Sequence, residues 1–212
     1  MGGMGSAPHT GHVEIFKAVT NKWIAGLSWA VACLGVVATA VTAGPAALVG
    51  AAPLLLIAFL GWQLFWMPAV VVHDGGVTLE NPFRSVLVPW AALVQVDTRF
   101  ALTLVTAGKS YTSWAAPAPG IWGGRNARPG DLRGLPATSY GPGKSVRPGD
   151  LKSTDSGQAA LLVRVRWEDL AESGQLAVGD AATTAVQVTY RWVAASAVVL
   201  LLAASCWTVT AR

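Results

Sequence analysis

The residues that could carry chemistry are few, and their spacing argues against most of the chemistry they suggest. Two Gly-Lys-Ser tripeptides, Gly108 to Ser110 and Gly143 to Ser145, are of the kind that closes a phosphate-binding loop, where backbone N–H groups cradle the phosphates and the lysine reaches their oxygens. That loop also needs a glycine five positions upstream, and those positions hold Thr103 and Thr138. His9 and His12 stand three apart, as a helical metal pair would, but no further ligand is near them. His73 beside Asp74 falls in a turn, where the pair is solvated rather than catalytic. GxSxG, HExxH, CxxC and clustered carboxylates are all missing. The expectation is a protein that is not an enzyme and uses no cofactor and no metal.

Recognition is the remaining chemistry. Within residues 68–116 the cations are Arg84, Arg99 and Lys109, balanced by Asp74, Glu80 and Asp97. Recognition of anionic lipid draws on a cluster of about four to eight Lys and Arg, and nucleic acid needs a basic stripe. A protein partner, docked by strand addition at an open sheet edge, therefore ranks first. The alternative is contact of the same three cations with anionic headgroups of the inner leaflet. Nucleic acid is not expected. In "NPFR", residues 81 to 84, the Asn81-Pro82 pair favours a turn; Phe83 and Trp90 are read as core anchors and Arg84 as the exposed member.

These residues lie on strands. "AVVVHDGGVTLEN" is an apolar run, an Asp-Gly-Gly turn and then an alternation, which together signal a hairpin. "SVLVPWAALVQVD" adds a strand region bent or edged at Pro89. "FALTLVTAGKSYTSWAA" is a second hairpin with its turn at Ala107 to Lys109 and its return through Trp114. About fifty residues of sheet make too small a core to be secure alone.

The sheet sits in an unusually apolar chain: 53% of the 212 residues are hydrophobic and 12% charged, where soluble proteins have about a quarter charged. Residues 23–72 form fifty consecutive positions without a charge or a histidine. One span needs roughly 20 helical residues, so the run divides at Gly44-Pro45 into Trp23 to Ala43 and Ala46 to Met67. A third span, Trp192 to Thr210, follows Arg191 directly. Trp23, Trp62, Trp66, Trp192 and Trp207 fall near the span ends, where amphipathic rings favour the interface. "AVTAG", residues 40 to 44, has the small residues of a signal-peptide cleavage site, but its 21-residue apolar run exceeds the roughly 7 to 15 of a signal sequence. Lys17 and Lys22 precede the first span, and twelve of the fifteen Lys and Arg lie within residues 68–191. Positive charge stays cytoplasmic. The expected topology is multi-pass in the inner membrane, with the amino terminus and the sheet cytoplasmic and the carboxyl terminus outside. No span holds an ionisable residue to line a transport pathway. Cys33 and Cys206 fall within spans and read as small apolar packing.

Residues 117–157 hold nine Gly and six Pro, a composition read as a disordered insertion. It contains an echo, "RPGDLR" at 128 to 133 and "RPGDLK" at 147 to 152, read as low-complexity duplication rather than a docking motif. After it, "SGQAALLVRVRWEDLAESG" fits a strand through Val163, Val165 and Trp167, or a helical stripe through Ala160, Val163, Trp167 and Leu170. Asp155 or Ser156 as N-cap and Gly174 past the last turn favour helix.

The segment from Gly76 to Pro119 resembles the bacterial PH-like domain of small actinobacterial membrane proteins, the family typified by low-molecular-weight protein antigen 6. The resemblance is carried by Gly76-Val77, Asn81-Pro82-Phe83-Arg84, Val88-Pro89-Trp90, Val96 to Arg99 and Trp114 to Pro117, and more loosely by Trp167 to Leu176 as a closing helix. It implies an α+β membrane protein: a bent antiparallel sheet at 68–116 closed by a helix at 158–176, set between the second and third spans and preceded by a tail at 1–22. The Gly/Pro segment departs from the family pattern as an insertion. The resemblance implies no ligand.

Overall fold

The computed structural model describes residues 13–44, 47, 50–120, 129–132, 134–140, 145–174 and 183–210. The His9–His12 pair, Pro45, and the ends of the first "RPGDLR" copy lie outside them. Among the described residues, two antiparallel sheets form one domain. The larger runs in the order β1-β2-β3-β4-β8, with β1 at Val13–Phe16, β2 at Ala69–His73, β3 at Gly76–Glu80, β4 at Arg84–Pro89 and β8 at Gln187–Tyr190. The smaller contains β5 (Leu93–Asp97), β6 (Ala101–Thr106) and β7 (Ser110–Pro117) in that order. The period-2 alternation places Val70, Val72, Val77, Leu79, Val86 and Val88 inward, where they are buried with Leu102 and Leu104 of β6. Between β4 and β5 the chain turns through a 3₁₀ step at Trp90–Ala92, directly after Pro89. Trp90 is buried there and its indole N–H donates to the His73 carbonyl at 2.9 Å.

A helix, α3 (Asp155–Glu172), closes the domain, burying Ala159, Ala160, Val163 and Leu170 among the core. Its N-cap is Thr154, whose hydroxyl accepts from the Gly157 N–H at 3.1 Å. The ambiguous stretch is thus helical, starting and capped earlier than the sequence indicates, with Gly174 at φ 67° just past its last turn as expected.

The described residues also include three apolar helices: α1 (Val19–Ala43), α2 (Ala52–Gly61, continued by a π turn at Trp62–Trp66) and α4 (Trp192–Thr210). Among the described residues, α1 alone is long and apolar enough to cross a membrane by length and composition; the other two are shorter apolar helices. Of the second expected span, Ala46 to Met67, the helix covers Ala52–Gly61 and its π turn Trp62–Trp66. Helix α2 packs against both α1 and α4. Small residues permit the approach to α1, since a Cβ on Gly61 would meet the Ser28 Cβ at 2.6 Å and one on Gly35 would meet the Leu54 Cδ2 at 2.6 Å. The Trp29 indole N–H donates to the Ala58 carbonyl at 3.1 Å across the same pair.

Three expectations need correction. The tail at 1–22 is not separate from the sheet: Val13–Phe16 pairs with β2 and α1 begins at Val19. The sheet is likewise not confined to 68–116, because β8 pairs with β4. Four-residue strands whose partners lie far along the chain give no local hairpin signal. Third, residues 117–157 are not a disordered insertion throughout. Residues 148–150 form a 3₁₀ turn in which Gly149 and Asp150 are buried. The Asp150 carboxylate accepts from the Arg164 guanidinium at 2.6 Å and from the Thr98 hydroxyl at 2.8 Å. Arg164 also donates to the Val96 carbonyl at 2.9 Å and the Ser139 hydroxyl at 3.0 Å. A Cβ at position 149 would overlap the Thr98 carbonyl oxygen, so only glycine lets the loop seat this closely. Arg147 pairs with Asp97. A buried ion pair with a hydrogen-bonded shell orders what composition alone marks as loop.

Candidate functional site

All three connections between the sheet and the apolar helices leave from one end of the larger sheet. β1 ends at Phe16 and feeds α1, α2 and its π turn feed Ala69, and β8 ends at Tyr190 and feeds α4. The register aligns these junctions, pairing Phe16 with Val70, Ala69 with Glu80, Glu80 with Ser85, and Arg84 with Tyr190. The Asn81–Arg84 connection between β3 and β4 therefore lies at the helix-bearing end. The Asp74–Gly75 turn lies at the opposite end.

That connection is held from several sides. The Asn81 N–H donates to the Arg84 carbonyl at 2.9 Å, the Asn81 side-chain amide donates to the Thr112 carbonyl at 3.0 Å, and its oxygen accepts from the Trp114 N–H at 2.7 Å. The Gln63 amide in the π turn donates to the Pro82 carbonyl, and the Arg191 N–H donates to the Phe83 carbonyl at 2.9 Å. The Trp114 indole N–H donates to the Leu64 carbonyl at 2.7 Å. Beside them the Arg191 guanidinium pairs with Glu80, whose other oxygen accepts from the Ser85 hydroxyl at 3.0 Å. An apolar cleft of about 380 Å³ opens between Leu64, Pro82, Phe83 and Trp114, with Arg84 at its rim.

The expected site residues separate on this framework. Asn81, Pro82, Phe83, Arg84 and Trp114 meet around the cleft. Trp90 belongs to the core. Phe83 does not: it is 38% exposed, and Trp114 is 53% exposed. Pro82 turns the chain so that Phe83 leaves the sheet, where alternation alone points it inward. The three cations form no single patch. Arg99 precedes β6 and Lys109 precedes β7, so they stand at opposite ends of that hairpin. Arg99 stacks on Phe100, 5.3 Å from the ring centre, and lines a second cleft of about 640 Å³ with Arg147 and Gly149. Lys109 sits in the turn where its carbonyl accepts from the Thr106 hydroxyl at 2.8 Å. Burial raises the carboxyl pKa of Asp155, in the first turn of α3.

A surface that sequence reasoning missed is the outer face of the larger sheet. Ile15, Val71, Thr78, Leu87 and Gln187 form one outward row, and Val13 begins the next. Val13 is 56% and Ile15 62% exposed. The signal was the alternation of Val13, Glu14, Ile15 and Phe16, which stood unread beside the first apolar helix.

A five-stranded and a three-stranded antiparallel sheet around one core, closed by a helix, define a PH-like domain. Residues 67–149 match the family model of the bacterial PH domain, so this part of the chain is similar to a bacterial PH domain. The match runs through the Gly/Pro segment as far as the buried Gly149. No curated protein and no solved structure matches the chain.

Proposed function

We propose that this chain is a multi-pass inner-membrane protein whose cytoplasmic PH-like domain docks a protein partner on the outer face of its larger sheet. The observation that carries the reading is the exposure of Val13 and Ile15 beside Val71 and Leu87 on that face. Contiguous apolar groups on a water-facing sheet mark an interaction surface. β1 is the end strand of its sheet, and an extended peptide laid along it would cover Ile15 and gain main-chain bonds at once. Three spans are supported by the helices that leave one end of the sheet, and a cytoplasmic domain by Lys17, Lys22 and the twelve cations between the second and third helices.

The test places a photo-crosslinking residue at Ile15 in membranes of the native host and identifies adducts by mass spectrometry. A protein adduct that disappears when Val13 is also replaced by Glu supports the surface. Adducts made only of lipid, or none above those of a crosslinker at Asp74, would remove it.

A further inference from the structure

We infer that the Asn81–Arg84 connection, with Trp114 beside it, is a phospholipid-contact site at the bilayer interface: the Phe83 cleft takes the acyl and glycerol region and the Arg84 guanidinium takes the phosphate. The inference rests on reading α1, α2 and α4 as membrane spans. The connection is bonded to the last turn of α2 through Gln63 and to the residue preceding α4 through Arg191. It therefore sits at the depth where those helices leave the polar side. Exposed aromatics gather at this level: Trp66 in the π turn, Phe83, Trp114, Tyr190 and Trp192. Aromatic rings with an apolar body and a polar edge favour the headgroup zone. In water Phe83 and Trp114 would be an unexplained apolar patch around an apolar cleft; at a bilayer surface both rings and cleft meet lipid. Arg84 is exposed and pairs with no carboxylate among the described residues, whereas Arg147, Arg164, Arg166 and Arg191 each pair with one. Its neighbour Glu80 is already engaged by Arg191 and Ser85, which leaves the Arg84 charge for an anion from outside the chain. Lys17, whose ammonium donates to the Trp66 carbonyl at 3.4 Å, lies at the same level and adds to the attraction.

The experiment uses the full chain with Cys33 and Cys206 replaced by Ala, reconstituted in phosphatidylcholine and phosphatidylglycerol vesicles. Single cysteines F83C, D74C and V199C carry a fluorophore, and the lipids carry a quencher either near the headgroup or at mid-chain. Shallow quenching at position 83, mid-chain quenching at 199 and neither at 74 is the expected pattern. Quenching at 199 without quenching at 83 overturns the site while leaving the spans intact. Absence of quenching at 199 overturns the spans and the site with them. For the charge, Arg84→Gln should retain roughly fivefold less phosphatidylglycerol in native mass spectrometry, the effect of one cation near an anionic surface. Equal retention overturns the phosphate contact.

Discussion

At the scale of single residues, Trp90 and Phe83 separate by what surrounds them. Trp90 is 5% exposed and its indole is bonded to the chain of β2, so Trp90→Ala leaves both a cavity and an unpaired carbonyl. Its cost should be about 3 to 5 kcal/mol, seen as a large fall in the unfolding midpoint in detergent. Phe83→Ala removes a ring that is not in the core, and its effect on the same midpoint should stay within about 0.5 kcal/mol. The reverse order would return Phe83 to the core. Asp155 gives a pH dependence. Because burial raises its pKa in the folded state, folding favours the protonated form. The stability tied to this group is present below its ordinary value of 3.8 and is lost as pH rises through the raised value. Asp155→Asn should therefore flatten the loss of stability with pH over that window, without lowering stability at neutral pH. A steeper loss in the variant would mean that the favourable placement of a carboxylate at a helix N-terminus outweighs its desolvation.

Among the elements, the loop that seats Asp150 on α3 behaves as part of the core. Asp150→Ala leaves Arg164 buried without its counter-charge, a change that costs about 3 to 5 kcal/mol. Limited proteolysis of opened membranes should then cut within residues 145–154 of the variant under conditions in which the parent resists. Equal resistance would show that the remaining bonds of Arg164 to Val96 and Ser139 hold the loop unaided. This loop also marks the limit of what the sequence discloses. The β2–β3 and β6–β7 hairpins were legible because alternation and turn residues are local properties. Ordering of a Gly/Pro stretch depends on what a distant side chain offers it, and neither Arg164 nor the Thr98 carbonyl is visible from the composition of the stretch itself. β1 and β8 were hidden for a related reason: each is four residues long, and each pairs with a strand outside its own neighbourhood. At the candidate site, the "NPFR" turn was legible as a turn. Its position beside the helices was not, because that follows from a register spanning β1, β4 and β8.

For the whole molecule, that register and the charge distribution support the same arrangement. Three chain crossings at one end of a sheet orient the domain with its Asp74–Gly75 end away from the helices. Lys17 before α1, Lys22 in its first turn, and twelve of the fifteen cations between α2 and α4 favour the cytoplasm for that domain. The two arguments are independent, since one concerns backbone pairing and the other the electrostatics of insertion. Removal of the chain up to Ala43 would leave α2 still delivering Pro68 to the same side, so the prediction does not depend on whether the first helix is retained. A reporter active only in the cytoplasm should work when fused after Gly124 and fail when fused after Arg212. Activity at both positions would mean that α4 lies along the membrane rather than across it, consistent with its being a shorter apolar helix, and the domain would remain inside. The opposite pattern, activity only after Arg212, would put the domain outside the cell and remove any cytoplasmic partner, while the lipid contact of Arg84 would move to the outer leaflet.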